Sequence, residues 1–202
     1  MDINAFEINF SDVEIQNVKT KVASFPWHEM PKDGGWSFGT NIDYMKNLAD
    51  YWTKEYNWKS QEARLNQFPN YKTKVDDLEI HFIIKKSSSP KAIPLILIHG
   101  WPGSIVEFLE IIDPLCEPEK YGNDNEVCFD IIAPSIPGFA FSGKPENPIG
   151  PRRIASIFNK LMTEKLGYKK YVAQGGDWGS AISTWLGSVS YTHLRAHETI
   201  PD

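Results

Sequence analysis

The sequence predicts an α/β fold in which helices cover a largely parallel sheet, together with a helical, aromatic-rich N-terminal region packed on it. Strand-like apolar segments alternate with amphipathic segments over residues 76–187, and this alternation is typical of parallel sheets. The chain is 41% hydrophobic and 23% charged, which favours a packed globular core over disorder. A glycine-rich turn, GGDWGS at 175–180, follows the last predicted strand.

The N-terminal region has helical patterns. Ser11 and Glu14 have the spacing of a capping box, and Asn41 is placed to begin a second helix. Residues 60–68 predict a short third helix that ends before Pro69. The aromatic residues of this region include Trp27, Trp36, Tyr44, Tyr51, Trp52 and Trp58. Burying each ring is worth about 1.5–3 kcal/mol, so we expect the region to pack on the rest of the chain.

The remaining elements follow in chain order. Strands are expected at residues 78–84, 93–98, 128–133 and 170–174. Helices are expected at residues 104–115, 151–166 and 178–187. In the first strand Leu78, Ile80 and Phe82 alternate with Glu79 and His81, which predicts one buried face. The continuous apolar run IPLILI predicts a second strand covered on both faces, and Ser104 with Glu107 repeats the capping-box spacing before the first of these helices.

Composition excludes several classes of protein. The net charge of −5 provides no basic surface for nucleic acid. Cys116 and Cys128 are too few for a disulfide scaffold and predict buried thiols in a reducing compartment. Residues 1–10 lack the features of a signal peptide, and no apolar run approaches the length of a transmembrane helix. We therefore expect a soluble, cytoplasmic protein without a transmembrane anchor.

The glycine-rich turn places an aspartate where a hydrolase nucleophile would stand. Gly175-Gly176-Asp177-Trp178-Gly179 follows a strand and precedes a helix, which is the context of a nucleophile elbow. The glycines are expected to let strand and helix approach closely. The Trp178 amide would lie at the positive end of the helix dipole. The alternative is an ordinary turn in which Asp177 only caps the helix.

A second loop strengthens the nucleophile interpretation. His99-Gly100-Trp101-Pro102-Gly103 comes directly after an apolar strand and before the capped helix. Backbone amides in such a loop can complete an oxyanion hole with the amide that follows the elbow aspartate. We interpret His99 as a residue that organises the loop, together with Gly100 and Pro102, and not as a general base.

These motifs resemble the microsomal and juvenile-hormone branch of the epoxide hydrolases, within the α/β-hydrolase superfamily. The matching segments are HGWPGS at 99–104, PSIPGFAFSGKP at 134–145, GGDWGS at 175–180 and the aromatic segment 34–83. The resemblance covers residues 3–187. The GDWG motif alone is shared with haloalkane dehalogenases, and the N-terminal region separates the two families. The resemblance also implies a cis Trp101–Pro102 peptide, since cis bonds are essentially confined to proline.

The resemblance implies a domain organisation and a mechanism. Residues 1–90 would be the family's N-terminal region and residues 91–187 the N-terminal half of an α/β-hydrolase core. Asp177, ionised at neutral pH, would attack a small apolar epoxide and form an alkyl-enzyme ester. The backbone amides of Trp101 and Trp178 would stabilise the oxyanion when water cleaves that ester. The product would be a vicinal diol, and neither a cofactor nor a metal is expected.

The last stretch, residues 188–202, does not resemble the family, and we interpret it as a non-family tail. Relatives also use a histidine base, its acid and two cap tyrosines, and the base and acid follow the nucleophile in the chain. His193 and His197 lie four residues apart, but no third metal ligand is apparent. We therefore expect this chain to be a truncated, inactive form of an epoxide hydrolase. The alternatives are a haloalkane dehalogenase-like hydrolase and a non-catalytic protein on a hydrolase scaffold.

Overall fold

The computed structural model describes residues 2–29, 31, 35–123 and 127–189. The chain divides into two compact units. One is the helical unit Ile8–Arg64, and the other, the sheet unit, consists of Met1–Glu7 and Leu65–Asp202. The boundary predicted at residue 90, and the packing of the N-terminal region on the core, stay predictions.

Three helices account for most of the helical unit: α1 at Asp12–Ala23, α2 at Ile42–Lys54 and α3 at Trp58–Leu65. The predicted capping box is confirmed, because Ser11 and Glu14 exchange their side-chain and backbone hydrogen bonds at the start of α1. Asn41 caps α2 as predicted, accepting from the amides of Asp43 and Tyr44. Helix α3 begins two residues before the predicted position. There the Asn57 side-chain oxygen accepts from the Ser60 amide at 3.1 Å.

The sheet unit contains a six-stranded sheet in the order β1-β2-β3-β5-β4-β6. Its strands are β1 at Ile3–Ala5, β2 at Asn70–Val75, β3 at Leu78–Lys85, β4 at Ile93–Ile98, β5 at Phe129–Pro134 and β6 at Val172–Gly175. Strand β4 pairs in parallel with β5 and β6, whereas β1, β2, β3 and β5 are joined by antiparallel pairings. The sheet is therefore mixed, and the expectation of a largely parallel sheet was wrong.

Two of the three antiparallel pairings involve strands that the sequence pattern did not reveal, and the third joins the predicted strands β3 and β5. Strands β1 and β2 lie within the stretch predicted to be helical. Strand β2, NYKTKV, buries Asn70 and Thr73 along with Val75, so its inward positions carry polar residues and the apolar alternation of a strand is lost. A tight turn at Asp76 and Asp77 joins β2 to β3, and Asp76 adopts a left-handed backbone with φ of +54°.

Helices cover both faces of the sheet. They are α4 at Leu109–Cys116, preceded by a 3-10 turn at Ile105–Phe108, α5 at Pro151–Lys160, extended by a π turn at Leu161–Lys165, and α6 at Trp178–Val189. The second predicted capping box, Ser104 with Glu107, is present before the 3-10 turn. Both faces of β4 are buried, as predicted, because Leu95 and Leu97 are buried as well as Ile96 and Ile98. The main core packs β3–β6 against α5 and α6.

One prediction about β3 was wrong. Leu78, Ile80 and Phe82 are buried as expected, but His81 on the opposite face is also fully buried. Its ring packs edge-on against Phe6 and Phe141, so this face of the strand is covered as well. Within the described part of the chain, no helix is long and apolar enough to cross a membrane.

Candidate active site

Asp177 lies between the last strand and the last helix, as predicted. Strand β6 ends at Gly175 and helix α6 begins at Trp178. Asp177 is exposed and its backbone is left-handed, with φ of +52°, a conformation that L-residues rarely adopt. Such strain is concentrated at functional positions, where the surrounding structure holds it in place. The turn thus projects a carboxylate out of the carboxyl edge of the sheet.

Close backbone contacts explain two of the elbow glycines. A Cβ atom at Gly175 would lie 2.5 Å from the carbonyl carbon and oxygen of Gly179. A Cβ atom at Gly179 would overlap the carbonyl oxygen of Ile98 and lie 3.0 Å from that of His99. Helix α6 can therefore approach the strand ends only because both residues lack side chains. The same expectation was wrong for Gly176, whose missing Cβ would point into a space with no described atom within 4 Å.

The loop after β4 lies directly against the elbow carboxylate. The Trp101–Pro102 peptide is cis, as predicted. The Trp101 amide donates a hydrogen bond to Asp177 Oδ1 at 2.8 Å. A Cβ atom at Gly100 would lie 2.8 Å from Asp177 Cβ, so glycine at this position leaves room for the carboxylate. The predicted pairing of these two segments is therefore present.

The charge on Asp177 is stabilised by these backbone groups. The Trp101 amide has the largest effect and the Trp178 amide the next, and together they lower the pKa of Asp177 against a smaller opposing effect of burial. The carboxylate is therefore ionised at neutral pH. Trp101 and Trp178, whose amides bind the carboxylate, are themselves 64% and 45% exposed.

His99 is fully buried, and both of its ring nitrogens contact backbone groups. Its Nε2 accepts from the Ile136 amide at 3.0 Å, so Nδ1 carries the proton and donates to the Gly100 carbonyl at 2.9 Å. Burial lowers the pKa of His99, which keeps the ring neutral. Because neither nitrogen is available for proton transfer, this geometry is that of a residue that holds the loop in place.

The other candidate groups form no further site in the described part of the chain. Within it, no cluster of three or more His, Cys, Asp or Glu side chains is placed to bind a metal ion. His193 and His197 lie outside the described residues, as does nearly all of the predicted tail. Cys116 and Cys128 are buried free thiols, and burial raises the pKa of Cys116 to about 11.

Sequence reasoning missed two contributors to this region. The segment after β5 was recognised only as a motif shared with the family, at residues 134–145, and no role was predicted for it. Its Ile136 amide donates a hydrogen bond to His99 and holds that ring in place. His81 was placed on an exposed strand face, yet it is buried and bonded to the same segment at Ser135. The available signal was the apolar run Phe82, Ile83 and Ile84 directly after the histidine. The partners of His81 could not be found by spacing, because they lie far away in the sequence.

The fold and the elbow define the class of protein. An aspartate between a strand and a helix, beside an amide-bearing loop on the neighbouring strand, is the arrangement of an α/β hydrolase. The family model described as alpha/beta hydrolase fold matches residues 93–195. The model described as epoxide hydrolase N terminus matches residues 3–108, half of the chain. The chain therefore belongs to the epoxide hydrolase family.

Individual relatives agree with this assignment. A putative epoxide hydrolase of Stigmatella aurantiaca is 40% identical over 185 residues, which is 91% of this chain and 42% of the relative. The crystal structure of juvenile hormone epoxide hydrolase from the silkworm Bombyx mori is similar with a TM-score of 0.88 and 35% identity, covering 98% of this chain and 47% of that one. Aspergillus niger epoxide hydrolase has a TM-score of 0.87 and 30% identity, covering 100% and 53%. The chain thus spans about half the length of these relatives or less.

Proposed function

We propose that the protein containing this chain hydrolyses epoxides to vicinal diols, with Asp177 as the nucleophile and the Trp101 and Trp178 amides as the oxyanion hole. The observation that carries the proposal is the ionised Asp177 carboxylate on a left-handed turn, with the Trp101 amide 2.8 Å from Oδ1. The family match and the names of the relatives support the same reaction.

In the first step a carboxylate oxygen of Asp177 attacks one carbon of the epoxide ring. The carbon–oxygen bond of the ring breaks, and its electron pair goes to the departing oxygen, which takes up a proton. An aspartate suits this step because it is already ionised, whereas a serine would first have to lose a proton. The product is a hydroxyalkyl ester of Asp177. Small apolar epoxides are the proposed substrates, since the exposed indole rings of Trp101 and Trp178 provide an apolar border.

In the second step water adds to the carbonyl carbon of the ester. The negative charge that develops on the carbonyl oxygen is stabilised by the two backbone amides, which are already oriented toward that position. Collapse of this intermediate breaks the ester bond, releases the diol and restores the carboxylate. The net reaction consumes one epoxide and one water, and it requires no cofactor. We assign neither the proton donor nor the base among the described residues, and the inactivity of the 202-residue chain stays a prediction.

The two alternatives receive less support. A haloalkane dehalogenase would share the elbow aspartate, but the match to the epoxide hydrolase N terminus over residues 3–108 favours epoxides. A non-catalytic scaffold would have no need for a strained backbone at Asp177, which costs about 1–3 kcal/mol at such positions.

The covalent step can be tested by following oxygen in a single turnover. The complete gene product, in excess over an aryl epoxide, is mixed in water enriched in oxygen-18. Because water attacks the ester carbonyl, the first diol should contain only unlabelled oxygen, and the Asp177 peptide should gain the label by mass spectrometry. Label in the first diol, with none in the peptide, would show direct attack by water and refute the ester. A parallel incubation with a haloalkane tests the alternative reaction.

Asp177→Asn should abolish diol formation. The matched control is Asp76→Asn, because Asp76 is also an aspartate with a left-handed backbone, located in the β2–β3 turn. That control removes the same charge at the same kind of backbone position. Because Asp76 is not one of the proposed catalytic groups, the control should retain activity. Loss of activity in both variants would indicate a general effect of the substitution and not a nucleophilic role for Asp177.

A further inference from the structure

The second fully buried histidine, His81 on β3, is part of a polar cluster within the sheet unit. Its Nε2 lies 2.9 Å from Asn70 Oδ1, and its Nδ1 lies 2.9 Å from the hydroxyl of Ser135. Burial has the largest effect on this ring and lowers the pKa of His81 to about 3. His81 is therefore neutral at all physiological pH values.

The direction of each hydrogen bond follows from its partners. The Asn70 amide nitrogen donates to the carbonyls of Leu65 and Phe68, at 3.0 and 2.8 Å, so its oxygen faces His81. That oxygen can only accept, and Nε2 of His81 must carry the proton. The other ring nitrogen is then an acceptor, and the Ser135 hydroxyl donates to it. Both ring nitrogens of His81 and the side-chain amide of Asn70 therefore have hydrogen-bond partners. Through this cluster, strand β3 holds the Ser135 side chain in place.

Strand β3 also holds the segment after β5 through backbone groups. The Ser135 amide donates to the His81 carbonyl at 2.9 Å. The Ser142 hydroxyl donates to the Ser135 carbonyl at 2.7 Å and accepts from the His81 amide at 3.0 Å. The Gly143 amide donates to the Glu79 carbonyl at 2.7 Å. Both ends of segment 135–143 are thereby attached around His81.

The residue after Ser135 leads directly to the candidate active site. The Ile136 amide donates to Nε2 of His99, and Nδ1 of His99 donates to the Gly100 carbonyl. The next amide, that of Trp101, donates to Asp177. The Trp101 side chain is 64% exposed, so packing of its own ring does little to hold it. The position of this amide depends on the contacts of His99 and of the segment that holds His99.

We propose that His81 is a positioning residue for the oxyanion-hole loop. It fixes Ser135, and through Ile136 and His99 it sets the place of the Trp101 amide that faces Asp177. The proposal rests on the proposed function, because that function gives the Trp101 amide its role. It differs from a purely structural role for His81 in one respect. The contact with Ser135, and not the contact with Asn70, is the one that controls the Trp101 amide.

Two amide substitutions separate these contacts. In His81→Asn the side-chain amide occupies the position of Nδ1, so it can still accept from Ser135 but cannot reach Asn70. In His81→Gln the amide occupies the position of Nε2, so it keeps Asn70 and loses Ser135. Asparagine removes more side-chain volume than glutamine. A purely structural role therefore predicts that the Asn variant is the more impaired, whereas positioning predicts that the Gln variant is.

The experiment uses the complete gene product and two measurements. Hydrogen exchange of the Trp101 amide reports the loop directly and needs no substrate. Steady-state hydrolysis of an aryl epoxide reports kcat and KM separately. In His81→Gln we expect exchange at Trp101 to be about tenfold faster, because local opening controls it. We expect kcat to fall about tenfold, because small displacements of catalytic groups cost one to two orders of magnitude. We expect KM to fall in proportion, because the Trp101 amide assists the second step and ester formation, which determines kcat/KM, is unimpaired. His81→Asn should stay within about threefold of wild type in both.

Ser135→Ala removes a single hydroxyl and provides a second route if the histidine variants do not fold. It should reproduce the effects of His81→Gln, and the double variant should be no worse than either single one, because both remove the same contact. The control is Tyr171→Phe, which breaks a partly buried hydrogen bond to Asn159 elsewhere in the unit and should leave Trp101 exchange unchanged.

The proposal would be overturned if the Asn and Gln variants had equal exchange rates at Trp101 and equal kcat. It would also be overturned if Ser135→Ala left the exchange rate of the Trp101 amide unchanged. Failure of the proposed function is recognised separately: the wild-type protein would then form no diol, while the exchange measurement would still decide whether His81 positions the loop.

Discussion

The close approach of α6 to the strand ends predicts opposite effects for two alanine substitutions in one turn. In Gly179→Ala the new Cβ would overlap the Ile98 carbonyl oxygen and lie 2.9 Å from the Ile98 carbonyl carbon. These are backbone atoms at the end of β4, and they cannot rotate away. To restore van der Waals contact the helix must move outward by about 1 Å, and overpacking of this kind costs roughly 1–3 kcal/mol, or more where the backbone must shift.

Gly176→Ala is the matched substitution three residues earlier. Its Cβ would meet no described atom within 4 Å, and Gly176 is not among the residues with positive φ. Replacing glycine at such a position stabilises a protein by about 0.4–1 kcal/mol, because the unfolded chain loses freedom. The two variants should therefore differ by about 3 kcal/mol in the free energy of unfolding.

Urea denaturation followed by far-ultraviolet circular dichroism measures this difference. Gly179→Ala should shift the midpoint to lower urea at an unchanged slope, and Gly176→Ala should leave it unchanged or raise it. Equal midpoints for the two variants would refute the inferred helix–strand contact. A lower midpoint for Gly176→Ala would show that a neighbour occupies the space predicted to be open.

Three further predictions concern charge and strain. As the pH falls from 6.5 to 5, the unfolded chain takes up protons at His81 and His99 before the folded one, because burial lowers both folded pKa values. Urea denaturation should show a loss of stability that approaches about 1.4 kcal/mol per pH unit from His81 alone, with a further loss in the same direction from His99. Asp177→Gly should be about 1 kcal/mol more stable than Asp177→Ala in the same assay, because only glycine adopts φ of +52° without cost. Gly100→Ala should displace the Asp177 carboxylate from the Trp101 amide and raise the pKa of Asp177 toward its ordinary value, as followed by carbon NMR of the carboxyl group.

Features specified by residues close in the sequence could be predicted well. The capping boxes at Ser11 and Ser104 depend on a partner three residues away, and both are present. The continuous apolar run of β4 revealed a strand covered on both faces. Strand β2 was missed because its inward positions include Asn70 and Thr73, whose burial becomes acceptable only through partners such as His81 and the Asp2 carbonyl.

In the candidate site, too, features set by adjacent residues were predicted, and contacts between distant residues were harder to predict. The elbow was predicted because its glycines and its aspartate are adjacent, and the contact of Gly179 with Ile98 explains why glycine is needed. The bond between Trp101 and Asp177 spans 76 positions. The loop was paired with the elbow because it follows an apolar strand, as oxyanion-hole loops do, and the resemblance to a family then identified the Trp101 amide. His81 had no such support. Its contacts connect β3 with the first residue of β2, Asn70, and with the residue after β5, Ser135, and they could be recognised only once the sheet was assembled.

The hydrogen bonds around Asp177 affect the two proposed steps in opposite directions. Donation from the Trp101 and Trp178 amides lowers the pKa of the carboxylate, and a less basic oxygen is a weaker nucleophile toward the epoxide carbon. In the second step the same donors stabilise the charge that develops on the ester carbonyl, where such groups contribute most to catalysis. The arrangement therefore favours ester hydrolysis over attack, and ring strain together with protonation of the departing oxygen must drive the first step. Since the Trp101 amide assists only the second step, loosening its loop through His81 or Ser135 should slow hydrolysis of the ester while leaving its formation unimpaired. The alkyl-enzyme should then accumulate in those variants, and that accumulation links the buried cluster on β3 to one particular step of the reaction.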